Sequence, residues 1–114
     1  MLFMILVKAS PLSENASRPS KESMRLMDEY NDALDAAGVK IMAKGLHPTK
    51  EAIRIAFIGD EKIRSNGPFE PSSEQLAGFF LIEVDSKEEA LDWFEKAPDP
   101  IGNGQGLIEL RQIY

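Results

Sequence analysis

The stretch SNGPFEPSSEQLAGFFLIEVDSKEEALDWFEKAPDP, Ser65 to Pro100, carries a turn signal, a strand and a helix in succession. Leu76 to Val84 is apolar at nearly every position, broken by Gly78 and Glu83. It reads as a strand with large apolar side chains on both faces. Ser86 and Glu89 have the spacing of a capping box, which starts a helix just after that strand. The helix sets Ala90, Trp93, Phe94 and Ala97 on its inward side and stops at Pro98, where a ring nitrogen cannot donate.

Working outward, DPIGNGQG is a glycine-rich turn segment and LIELRQIY a last strand. Upstream, Leu2 to Val7 is a second strand that is apolar on both faces, and Ser10 to Ser20 is a polar loop with two prolines. A helix follows, with Ser20 as N-cap and Glu22 in its first turn. Leu26, Met27, Tyr30, Ala33, Leu34 and Ala37 form its apolar positions, and Gly38 ends it. VKIMAKGLH alternates, with Val39, Ile41 and Ala43 on one side, and AIRIAFIGDEKIR is a hairpin turning near Gly59-Asp60.

The order is strand, helix, strand, inserted hairpin, strand, helix, strand. It predicts one α+β domain over residues 1–114, a ferredoxin-like βαββαβ unit whose two helices cover one face of an antiparallel sheet. The other face then exposes Leu, Ile and Phe side chains. At ~25 cal/mol per Å² of apolar surface, leaving several of them wet forfeits several kcal/mol. A second copy packed sheet to sheet resolves this, so the expectation is a homodimer closing into a dimeric α+β barrel.

The bulk numbers narrow the function. The chain has 114 residues, a net charge of −6 and no cysteine. Disulfides and thiolate chemistry are excluded, and an acidic surface repels phosphate backbones and anionic lipid. No nucleic-acid or membrane partner is expected. MLFMILVK is a first strand rather than a leader, because no cationic segment precedes it and no small-residue cleavage site follows. The expected location is cytoplasmic. One histidine among scattered carboxylates makes no metal site, and GNGQG is not followed by a helix, so no metal and no cofactor are expected.

Few residues could carry chemistry. His47, the one histidine, stands in GLHPTK and is the candidate acid or base. In NGPF, Pro68 cannot donate to a ladder, so Asn66, Gly67, Pro68 and Phe69 form a stiff loop. That loop is either a plain turn or the wall of a site. Glu83 sits in the apolar strand on the face of Ala77, Phe79 and Leu81, where a carboxylate calls for solvent or a cation. Arg54, Arg64 and Arg111 are its strand-borne partners of choice, and Glu109 with Arg111 is a second edge pair.

Taken together, AAGV, GLHP, NGPFEPSSEQLAGFFLIEVDSKEEALDWFEKAPDP and the final IELRQIY resemble the DGPF subgroup of YCII-related proteins along essentially the whole chain. The resemblance implies a dimeric α+β barrel. It also makes NGPF the wall of a cleft beside GLHP, with Asn66, Gly67, Pro68, Phe69, Glu83 and Arg54 as ligand-binding residues. Some YCII-related enzymes are thought to use a His–Asp pair as acid and base, including on chlorinated aromatics. Here Ser20 to Arg25 holds no histidine, and Asn66 replaces the signature Asp. An amide cannot remove a proton as a carboxylate does. These departures favour a small-molecule binding or sensing dimer. The alternative is a small enzyme in which His47 assists elimination, isomerisation or cofactor-free oxygenation of an aromatic or carbonyl compound.

Overall fold

A computed structural model describes all 114 residues, Met1–Tyr114. Its strands are β1 (Leu2–Lys8), β2 (Lys40–Gly45), β3 (Ile53–Ile58), β4 (Glu61–Asn66), β5 (Leu76–Glu83) and β6 (Ile108–Gln112). Its helices are α1 (Pro11–Glu14), α2 (Lys21–Ala36) and α3 (Lys87–Lys96). The main sheet runs β2-β5-β1-β6, antiparallel throughout, while β3 and β4 pair only with each other. This is the ferredoxin-like order with a hairpin inserted between its second and third strands.

Local chemistry sets the helix ends. The Ser20 hydroxyl accepts from Ser23 N–H at 3.1 Å, and Gly38 takes φ +72° just past the C-terminus of α2. The Ser86 hydroxyl accepts from Glu89 N–H at 3.1 Å. The Glu89 carboxylate reaches Asp85 N–H rather than that of Ser86, so the cap closes one residue earlier than a standard box. The polar segment after β1 is less irregular than its serines and prolines suggest. Ser10 and Ser13 cap each other reciprocally and Pro11 occupies the first turn, which together nucleate α1.

One face of the sheet carries the core. Phe3 lies opposite Ile82 and Ile5 opposite Phe80, and all four are buried beneath α2 and α3. Tyr30 joins the two helices: its hydroxyl donates to the Trp93 carbonyl at 2.6 Å, and its ring meets Phe80 edge-on. The buried stripe of α2 is Ser23, Met27, Tyr30 and Leu34, while Leu26, Ala33 and Ala37 face outward. The spacings fit either stripe; the sheet selects the one that includes Ser23. Val39, just ahead of β2, and Ala43 within it point inward as the alternation predicts. Ile41 does not, because the register slips between Lys40 and Met42 and turns it outward.

The opposite face has no helix on it. Met4 faces Leu81 and Leu6 faces Phe79 across β1 and β5, each partly exposed. The hairpin is barer still: all twelve strand residues of β3 and β4 are exposed, Phe57 by 72%.

Candidate functional site

The GLHP loop, leaving the end of β2, is held from behind by contacts distant in sequence. Glu14 on α1 accepts from the backbone N–H and hydroxyl of Thr49, and the Thr49 hydroxyl accepts from Phe69 N–H at 2.9 Å. Gly67 N–H donates to the Ala52 carbonyl at 2.9 Å. A side chain at Gly67 would run into the Thr49 carbonyl, so glycine here permits two backbones to touch. The Gly67–Pro68 and Glu70–Pro71 bonds are cis. Arg54, at the hairpin base, donates to the Gln75 amide oxygen at 2.9 Å and stacks its guanidinium 3.7 Å from the Phe69 ring centre. NGPF is therefore the buttress of the GLHP loop.

In front of the loop lies a cleft of about 480 Å³, between the ends of β1 and β2, the start of β5, the segment after α1 and the Pro100 turn. Val7, Leu46, Ala77 and Ile101 give it apolar walls, and Ser13 and Ser17 offer hydroxyls. It runs into a groove of about 330 Å³ through shared Val7, Pro19, Gly45 and Ala77, and that groove reaches Met27, Asn31 and Phe80 under α2. Lys8, Arg18 and His47 line the cleft and Lys44 lines the groove. No Asp or Glu lines either, although the chain carries 19 of them.

The acids nearest the cleft are turned to other partners. Glu51 Oε2 lies 3.0 Å from His47 Nδ1, on the side facing a second hollow formed with Glu74, Gln75 and Leu76. Asp99 accepts from Ile101 N–H and Gly102 N–H at 2.9 Å each, which fixes the turn that roofs the cleft. These backbone donors, that of Gly102 foremost, hold its carboxyl below the usual aspartate range. Ser23 Oγ reaches the Ile101 carbonyl at 3.3 Å and ties the same turn to α2.

The residues expected at the site are only partly brought together. His47 lies at the rim of the cleft with its side chain 82% exposed. Asn66 is exposed at the end of β4 opposite Ile53, and Gly67, Pro68 and Phe69 stand behind the loop. Glu83 is exposed at the end of β5 opposite Leu2, on the helix-free face, and forms no ion pair. Glu109 and Arg111 do pair, at 3.3 Å. Glu14, Thr49, Lys8 and Arg18 carry more of the site's geometry than the sequence suggested. The one signal for Glu14 was the Ser10–Ser13 cap with Pro11, which announces an ordered turn. No cluster of three metal-binding side chains forms, and no helix is long and apolar enough to cross a membrane.

Residues 1–114 match the model of the YCII-related domain. An uncharacterized protein of Rhizobium meliloti (strain 1021) is 44% identical over 68 residues, 60% of this chain; the matched region spans 54% of that protein, about half its length. Among solved structures, 5-chloro-2-hydroxyhydroquinone dehydrochlorinase from Burkholderia phenoliruptrix, in complex with 2,5-dihydroxybenzoquinone, is similar with a TM-score of 0.46 and 17% identity, over 96% of this chain and 91% of that one.

Proposed function

We propose that this chain, which belongs to the YCII-related family, is a homodimer that binds a small molecule in the cleft in front of the GLHP loop and acts by binding rather than turnover. The observation that carries this reading is the cleft itself. About 480 Å³ of partly apolar space adjoins a further 330 Å³, and residues bearing hydroxyl, amide and cationic groups are among those lining it. Small-ligand sites have that size and composition. Pairing of subunits is supported by the helix-free sheet face, where Met4, Leu6, Phe79 and Leu81 lie partly wet.

Two features favour binding over catalysis. His47, the one imidazole, is largely in solvent, and Asn66 does not share its cleft. A general base needs the reacting proton within hydrogen-bond reach and shielded from water.

A thermal-shift screen of the whole chain against small organic compounds tests the reading, because a ligand that binds only the native form raises the melting temperature. Gly45→Val is the control. Gly45 lies where cleft and groove meet, and a Cβ there makes only an ordinary contact, 3.9 Å from the Ala77 carbonyl. Hits should stabilise the native chain and lose their effect in Gly45→Val, whose own melting temperature stays close to the parent's. Hits indifferent to Gly45→Val would overturn the assignment.

One arrangement keeps an enzymatic reading in view. Glu51 on Nδ1 fixes the His47 ring and leaves Nε2 unengaged, as a carboxylate orients a catalytic imidazole. Under that reading, His47→Gln abolishes turnover of a bound aromatic or carbonyl compound while leaving its affinity within about threefold, since Gln keeps the hydrogen bond but not the proton exchange.

A further inference from the structure

We infer that the cleft takes an anion: a carboxylate or similar oxyanion carried on an apolar, ring-sized body. This rests on the reading of the cleft as a small-molecule site and adds the ligand's charge class. Lys8, Arg18 and His47 line the cleft and Lys44 the adjoining groove. Of the hollows that adjoin the cleft, the one reached through Ser13, Ser17 and Arg18 is without Asp or Glu; Glu51 and Glu74 line the one behind His47, and Glu14 a small recess beside Leu46. In a chain of net charge −6, a wall with cations and no acids is the reverse of what the surface as a whole presents.

Apart from His47, which meets Glu51, these basic side chains are also unengaged. The ion pairs of the structure involve Arg25, Lys40, His47 and Arg111; Lys8, Arg18 and Lys44 belong to none. Glu14 is directed to Thr49, Glu51 to His47 and Asp99 to its own turn. Several like charges beside a partly apolar recess repel one another, and an anion entering the recess relieves that repulsion. The apolar side chains, Val7, Met27, Leu46, Phe79 and Phe80 among them, call for an equally apolar body behind the charge.

The test compares matched acids and amides on the whole chain: benzoate, 2-naphthoate and indole-3-acetate, each against its neutral primary amide, by isothermal titration. The acids should bind about tenfold more tightly than the amides. The double variant Lys8→Gln/Arg18→Gln should weaken the acids far more than the amides and so shrink that advantage. Lys62→Gln, on the hairpin away from the cleft, should change neither. Acids and amides binding equally well, with both sensitive to Gly45→Val, would overturn the charge assignment and leave the small-molecule site standing. Binding that ignores Gly45→Val, or no binding by any of the six compounds to the folded chain, would remove both.

Discussion

Glu14 Oε2 accepts both the backbone N–H and the hydroxyl of Thr49, at 2.8 and 3.1 Å, across 35 residues of chain. One carboxylate oxygen thus joins the segment flanking the cleft to the loop that bears His47. Through the Thr49 hydroxyl it also reaches Phe69 N–H at the base of the hairpin. The other oxygen, Oε1, is buried without a partner. The arrangement is consistent with hydroxyl geometry, since Thr49 donates to Glu14 and accepts from Phe69.

Glu14→Ala should therefore lower stability by about 2 kcal/mol in urea unfolding, the scale of losing hydrogen bonds to a charged acceptor. Amide exchange should quicken at Thr49 and Phe69 together. Thr49→Val keeps the shape and removes the shared hydroxyl, so it should quicken Phe69 with little change at residue 49. Unaltered exchange at Phe69 in Thr49→Val would show that the hydroxyl does not hold the hairpin base.

Gly67 bears on the same junction from the other side. A Cβ at this position would overlap the Thr49 carbonyl, a backbone atom with no rotamer to yield. Gly67→Ala should thus cost about 2 kcal/mol or more through forced separation of the two loops. Gly59→Ala in the hairpin turn, where nothing lies within 4 Å of the added atom, suffers only the penalty of its φ of +60°. The expected signature is selective. Gly67→Ala should shift NMR signals of Thr49, Lys50 and His47, and Gly59→Ala only those of the turn. Equal, local effects from both would deny the close approach.

Tyr30 gives a pH-dependent prediction. Burial pushes its phenol up to about 12, because the ionised form has lost its water. A raised value means the fold favours the neutral phenol. Its contribution is complete below the ordinary phenol value near 10 and disappears as pH climbs through about 12. On a Tyr114→Phe background, where Tyr30 alone reports, tyrosinate absorbance should rise only in that upper window and together with unfolding. Tyr30→Phe removes this transition and, by stranding the Trp93 carbonyl, lowers stability at neutral pH by about 1–3 kcal/mol. Ionisation near pH 10 with the fold intact would contradict the burial.

Much of this architecture was legible because it follows from periodicity. The nearly continuous apolarity of Leu76–Val84, the cap at Ser86 and the break at Pro98 suffice to place β5 and α3. The hairpin and its Gly59 turn follow from the local pattern in the same way, whereas the exposure of Ile53, Ile55, Phe57 and Ile58 does not. What escaped depends on register and distance. The slip at Ile41 is a choice between two pairings, and no spacing in β2 announces it. The choice of the Ser23 stripe on α2 is made by the sheet and the Pro100 turn. The cleft's cations lie ten residues apart on either side of a loop, at Lys8 and Arg18, and only the fold brings them to one wall. Glu14 and Thr49 are ordinary polar residues until the chain sets them 2.8 Å apart.

The helix-free sheet face supplies the last prediction. Met4 and Leu81 are directly opposed on it, flanked by Leu6 and Phe79 in the next pair. In a lone subunit each of these side chains is partly in water, so Leu81→Lys should disturb the isolated fold little, the lysine stem lying along its neighbours with its amine in solvent. In a dimer closed across this face, the same amine is buried in an apolar seam without a partner. That penalty is several kcal/mol and is met twice, once from each subunit. Sedimentation equilibrium at micromolar concentration should give twice the chain mass for the parent and the single chain mass for Leu81→Lys. The melting temperature of the parent should rise with concentration while that of the variant stays flat, since only association couples stability to protein concentration. A parent chain that sediments as a monomer across that range, and melts independently of concentration, would mean the face is tolerated bare and the dimer must be abandoned.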